Sequence, residues 1–176
     1  MRNRTGHRHR ADLAGRAHAG GADGAGRPVL TQRITTSVLA LLVDMGYAPL
    51  TEVALGNGRR ADVLAVDDKG GVLAVEIKSG LADFRADSKW PDYLPFCDRF
   101  FFAVDTGFPM GVLDMPDTRP ETVGIIVADA YGADIVRPAP QRGMNGNRRR
   151  TVIRSMARQG ALRLAAARIG TARADG

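Results

Sequence analysis

The sequence predicts one mixed α/β domain behind a short basic tail. Three observations carry this. An early apolar stripe has helical spacing, three short strand-like runs follow it between turn signals, and the chain is 176 residues long with 44% hydrophobic and 25% charged residues. A domain of that size hides roughly two-thirds of its unfolded surface in one core. The apolar and charged fractions are those of a globular chain rather than a disordered one.

Residues 1–27 combine Arg, His, Gly and Ala without apolar periodicity and contain all three histidines, His7, His9 and His18. They read as a disordered tail, or as the product of a start codon assigned too far upstream. His7 and His9 have no fixed third ligand, so a metal site there is weak. Residues 28–176 form the single domain. Thr31 is positioned to cap a helix whose Ile34, Val38, Leu41, Leu42 and Met45 share a face, and Gly46 ends it. Strand-like runs follow at Thr51–Leu55, Ala61–Val66 and Val72–Lys78. The Asn57-Gly58 pair and the Asp67–Gly71 cluster between them are turn signals of a hairpin meander.

A polar stretch with scattered aromatics comes next, in which Ser88 can cap a short helix with Pro91 in its first turn. Arg99–Val104 reads as a buried strand, and Val123–Ala128 with Ala133–Val136 as two more. A final helix runs from about Arg149 to Ile169, beyond the linker opened by Pro138 and Pro140. The predicted order is helix, three-strand meander, helix, strand, an added hairpin and a basic helix.

Composition narrows the function. The single cysteine, Cys97, allows no internal disulfide and fits a reducing cytosol. The longest strictly apolar run is the six residues Val38–Val43, far below the roughly 20 needed to span a membrane. No apolar segment of a secretory signal follows the first arginines. The net charge of +6 is uneven: residues 1–27 carry +4, 28–141 carry −6, and 142–176 carry +8. Basic ends around an acidic centre point to a polyanionic partner.

The acidic centre holds the chemistry. Asp62 opens the second strand, and Glu76-Ile77-Lys78 closes the third. Strand alternation points Glu76 and Lys78 to one face and Ile77 to the other. A turn centred near Lys69 places Glu76 opposite Asp62; a loop one residue longer would place Ile77 there and separate the acids unless a bulge restores the phase. In the first register two carboxylates and an ammonium lie side by side. Nothing structural is gained by crowding two carboxylates unless a cation bridges them. Asp62, Glu76 and the Ile77 carbonyl are hard oxygen ligands that suit Mg²⁺ or Mn²⁺, and a metal-bound water is a nucleophile for a phosphodiester. Lys78 can orient that water or offset charge on the phosphorane. Only three of the 25 basic residues are lysines, Lys69, Lys78 and Lys89, and two of those fall at this site. Lys89 and Tyr93, four apart, would share a helix face beside the acids. Asp83 and Asp87 would hold either the turn after Ser79 or the site lysines.

These residues form a recognisable pattern. Asp62, followed fourteen positions later by Glu76-Ile77-Lys78, resembles the PD-(D/E)XK nuclease superfamily, a restriction-endonuclease-like fold. Lys89 and Tyr93 fall where many RecB-type members carry a Gln-x-x-x-Tyr pair, with lysine in place of glutamine. Ala61 replaces the proline of the motif. The longer string EIKSGLADFRADSKWPDYLPFCDRFFFAV, Glu76 to Val104, and VGIIVADAYGADIVR, Val123 to Arg137, are similar to the MmcB-like family. That is a DNA repair family of alphaproteobacteria to which endonuclease activity is attributed from its fold. The resemblance runs from about Thr31 to Ile169. It implies Mg²⁺-dependent phosphodiester hydrolysis with Asp62, Glu76 and Lys78 as the catalytic set; Glu52, on the first strand, is a candidate for the extra metal-side acid many members have, although it falls on no fixed motif position.

In the final helix Arg150, Arg154 and Arg158 recur on one face, with Arg148 and Arg149 ahead of them. Ile153, Met156, Gly160 and Leu164 line another face, expected to dock on the sheet. Eight of the last 29 residues are arginine and only Asp175 opposes them, so intrahelical ion pairs do not account for the ridge. Phosphate contact does, with salt-dependent, sequence-tolerant DNA binding. The helix lacks aromatic membrane anchors. The expectation is a cytoplasmic, nucleoid-associated DNA repair endonuclease, with repair proteins as further partners. The alternative is a nuclease fold that only holds DNA or a repair partner.

Overall fold

The computed structural model describes residues 26–174, so His7, His9 and His18 lie outside the described residues. The chain builds α1 (Gly26–Asp44), β1 (Ala48–Ala54), β2 (Arg60–Val66), β3 (Val72–Lys78), α2 (Leu81–Ala86), a 3₁₀ segment Trp90–Phe96, β4 (Arg99–Asp105), two short 3₁₀ turns at Met110–Asp114 and Pro116–Thr118, β5 (Gly124–Ala128), β6 (Ala133–Arg137) and α3 (Gly146–Ala174). The six strands form one open sheet in sequence order. β1, β2 and β3 are an antiparallel meander, β3, β4 and β5 run parallel, and β6 turns back antiparallel to β5.

Strand alternation divides the core between two faces. Ile34, Val38 and Leu42 of α1 cover one, packing on Val63, Leu73, Val75, Ile77 and Phe101. The other carries Leu64, Ala74, Phe100, Phe102 and Val104, covered by Trp90 and Tyr93 of the 3₁₀ segment and Val152 and Met156 of α3. β3 is buried at all seven positions because it is central and has layers on both sides. Gly124 answers a close approach: a Cβ there would stand 2.4 Å from the Phe101 ring and 2.7 Å from the Ala139 nitrogen.

Several elements depart from the expected pattern. α1 starts at Gly26, not at a Thr31 cap; Pro28 sits in the first turn, where its missing N–H costs nothing. α1 still stops before Gly46, whose φ of 83° is the left-handed conformation glycine supplies. The helix expected behind Ser88 is a 3₁₀ segment, preceded by a separate helix, α2, that the polar stretch does not signal. Three residues per turn put Trp90 and Tyr93 on one buried face and leave Lys89 exposed. The expected Lys89–Tyr93 face therefore does not form.

α3 also differs. It is 29 residues long, or about 44 Å, and only its first half packs. Val152 and Met156 are buried with Ile153 beside them, whereas Leu162, Leu164 and Ile169 are exposed. The predicted apolar stripe thus ends near Gly160, which passes Leu50 of the edge strand β1; beyond it the helix still touches β1 through Arg163, on the Thr51 and Glu52 carbonyls, but Leu162, Leu164 and Ile169 find no apolar cover among the described residues.

Candidate active site

The site forms where β2 and β3 separate. The ladder pairs Val63 with Val75 and Leu64 with Ala74, so its continuation sets Asp62 opposite Glu76, the first of the two registers considered. The ladder stops there, and the Asp62 carboxylate takes the place of a strand partner, accepting the Ile77 N–H at 2.8 Å. N–H and C=O of one strand residue point to the same edge, so the Ile77 carbonyl also faces the Asp62 side. Opposite Asp62 on β1, Glu52 interrupts the ladder with φ at 51°, a conformation uncommon for a residue with a Cβ.

Glu76 and Lys78 project from β3 to the face that carries Phe102 and Tyr93, and both are buried. Lys78 Nζ lies 3.3 Å from Glu76 Oε1 and 2.5 Å from Asp87 Oδ2. Glu76 Oε2 is buried without any hydrogen-bond donor. Burial, then the Asp62 charge, pushes the Glu76 carboxyl up to about 8, against the pull of Lys78. Burial also raises Asp62, with the Ile77 N–H and Lys78 acting the other way. Desolvation works to lower Lys78, but Glu76 and Asp87 outweigh it and hold the ammonium above its usual range. Asp87 moves down despite burial, because Lys78 and the Lys89 N–H bond its carboxylate. Burial and the Glu76 and Asp62 charges raise the Tyr93 phenol, which donates to the Arg60 carbonyl at 3.2 Å.

The remaining predicted residues fall into two groups. Asp87 holds Lys78, and Asp83 instead holds the turn, accepting from Ser79 N and Oγ. Glu52 is drawn aside by Arg60 at 2.6 Å, while Arg163 of α3 binds the Thr51 and Glu52 carbonyls. Lys89 makes no side-chain hydrogen bond or ion pair among the described residues. Among the described residues no three His, Cys, Asp or Glu side chains gather as a metal cluster. The fit for a metal therefore rests on Asp62, Glu76 and the Ile77 carbonyl. Two carboxylates raised by burial and an orphaned Oε2 form a donor set short of positive charge. Mg²⁺ uses one or two carboxylates and fills the rest of its shell with water and phosphate, so the residues present fit it.

The arginines of α3 are not equivalent. Arg149 is not free: it forks onto Asp98 at 2.5 and 2.7 Å and donates to the Gly70 carbonyl. Asp98, buried and also accepting the Val72 N–H, was missed by sequence reasoning; its only signal is an acid directly ahead of the Arg99–Asp105 apolar strand. Arg150 bonds Asn147, and Arg148 lies over the Phe96 ring. Arg154 and Arg158 remain exposed, with no ion pair among the described residues.

Fold and site define a mixed α/β domain with a buried carboxylate–lysine centre at the point where two sheet strands part. The model of the DNA repair protein MmcB-like family matches residues 22–171, and the chain belongs to that family. Its role is therefore in DNA repair. A solved structure of a protein of unknown function from Silicibacter pomeroyi, SPO1766, is 40% identical, with a TM-score of 0.72 over 78% of this chain and 90% of the other. No curated protein matches the chain. No helix among the described residues is long and apolar enough to cross a membrane.

Proposed function

We propose that the protein is a metal-dependent deoxyribonuclease acting in DNA repair, with the PD-(D/E)XK arrangement its sequence resembles. The observation that carries this is the convergence of Asp62, Glu76 and Lys78 where the β2–β3 ladder opens, with Glu76 left one donor short. Asp62, Glu76 and the Ile77 carbonyl would hold Mg²⁺ or Mn²⁺. Such an ion supplies Lewis-acid polarisation of phosphate and a water of lowered pKa.

The chain's own groups do the rest. Lys78 stays charged and is fixed by Asp87, so its ammonium is positioned to orient the attacking water and offset charge building on phosphate oxygens. Asp62 keeps one oxygen on the Ile77 N–H, which limits rotation of its carboxylate beside Glu76. Phe102, Trp90 and Tyr93 pack on the sheet face that Glu76 and Lys78 share, and both of those side chains are buried there. The exposed Arg148, Arg154 and Arg158 supply phosphate-backbone contacts.

The test is nicking of plasmid, single-stranded and branched DNA in Mg²⁺ or Mn²⁺ by the wild type and by Lys78→Ala. Cleavage by the wild type alone supports the reading; equal activity, or none on any substrate, removes it. The diversion of Glu52 to Arg60, with no group of three metal-ligating side chains among the described residues, favours one rival, a nuclease fold that only holds DNA. That rival requires salt-sensitive DNA binding unaffected by Glu76→Gln and no metal binding by calorimetry.

A further inference from the structure

A cleft of about 640 Å³ opens beside the acid–lysine centre. One wall runs from Phe84 at the end of α2 to Pro91 in the 3₁₀ segment, and the other is the turns from Gly111 to Arg119. Its volume is that of clefts that take ligands of nucleotide size. Asp87 lines it while its carboxylate binds Lys78, so the cleft ends one side chain from the proposed reaction site.

The walls have a specific chemistry. The Trp90 indole rests one face on Phe100, with centroids 5.6 Å apart, and the Arg119 guanidinium stands 5.8 Å from its ring. Arg119 is held there by backbone: its φ is 46°, and the buried Thr118 hydroxyl donates within the same turn, to the Leu113 and Met115 carbonyls. Arg85 and Arg119 are both exposed and form no ion pair among the described residues, and they outnumber the exposed Asp117. Met115, 56% exposed, gives the outer wall an apolar surface. A planar aromatic group carrying negative charge fits such walls: stacking on a guanidinium backed by indole, with phosphate at the arginines. A paired base is shielded inside its duplex and presents no free face.

We infer that this cleft receives an unpaired nucleobase, so the substrate is DNA with a single-stranded or extruded nucleotide; its place beside a scissile phosphate rests on the hydrolytic reading above. Base stacking on such platforms is sequence-tolerant, which suits a repair protein that must accept any base.

The experiment uses the full chain in chelator, where no cleavage occurs. Oligonucleotides carrying 2-aminopurine are titrated as single strand and as perfect duplex. The expected result is a change in 2-aminopurine emission on the single strand and affinity at least about fivefold above the duplex. Arg119→Gly, which accepts the positive φ, should remove that preference and leave duplex affinity unchanged. If that variant melts early, Arg85→Ala reads the same loss. Unchanged emission, equal affinities, or a variant that weakens both forms alike overturns the inference. Emission change without Mg²⁺- or Mn²⁺-dependent cleavage would remove the hydrolytic reading and leave the cleft as a nucleotide site. Cleavage of duplex at a rate independent of Arg119 would do the reverse.

Discussion

Lys78 Nζ lies 2.5 Å from Asp87 Oδ2, and this ion pair joins the end of the central strand to the segment that follows α2. It fixes an ammonium that would otherwise sit buried against Glu76 alone. It also places the Phe84–Pro91 wall of the cleft relative to the sheet.

Asp87→Asn should therefore disturb Lys78 while keeping both proposed metal ligands in place, its effect on Glu76 being only the loss of one of the smaller charges that raise that carboxyl. Losing one of its two anions lets desolvation act on the ammonium, so the Lys78 pKa falls. The alkaline limb of the cleavage–pH profile should move to lower pH while metal affinity by calorimetry holds. A profile identical to the wild type would show that Lys78 is not governed by this pair.

Glu76 makes stability pH-dependent in the metal-free protein. Its folded pKa, about 8, lies above its ordinary value of 4.5, so the folded state holds the proton more tightly. The stabilisation is full below about pH 4.5 and is lost as pH rises through 8, a tenfold difference in proton affinity being worth about 1.4 kcal/mol. Urea denaturation from pH 5 to 9 should show this fall, and Glu76→Gln should flatten it. Added Mg²⁺ should raise the melting temperature more at pH 8.5 than at pH 6, because it competes with that proton.

Arg149 and Asp98 form a structural clamp, and Arg149 is expected to serve stability more than DNA contact. Asp98→Ala leaves a partly buried guanidinium unpaired and should cost about 3 kcal/mol in urea denaturation. Arg154→Ala and Arg158→Ala should leave stability within about 0.5 kcal/mol. Each should lower the slope of log affinity against log salt by about 1. The opposite assignment, a salt-slope change from the clamp alone, would exclude the exposed face as the DNA contact.

The packed length of α3 is open to the same measurement. Met156→Ala empties a buried position and should cost about 2–4 kcal/mol. Leu164→Ala, at a position 66% exposed, should change stability by less than about 0.5 kcal/mol. A large loss at Leu164 would place a packing partner over the outer half of the helix.

By itself the sequence determined the strand segments between Ala61 and Val104, the α1 face of Ile34, Val38 and Leu42, and the alternation of Glu76 and Lys78 against Ile77. These depend on local periodicity and turn chemistry, which each short segment carries alone. Two hairpin registers stood open, and only the folded sheet decided between them, because register depends on where the turn closes and how both faces pack. The roles of Asp83 and Asp87 likewise required the fold: both are acids near Ser79, but just one reaches Lys78. Lys89 left the site because three residues per turn, not 3.6, bring Trp90 and Tyr93 onto the core. The arginines of α3 looked alike in sequence until Asp98, distant along the chain, tied Arg149 into an ion pair. Local pattern sets which elements form, whereas contacts between distant segments set which charges meet, and the chemistry depends on those meetings.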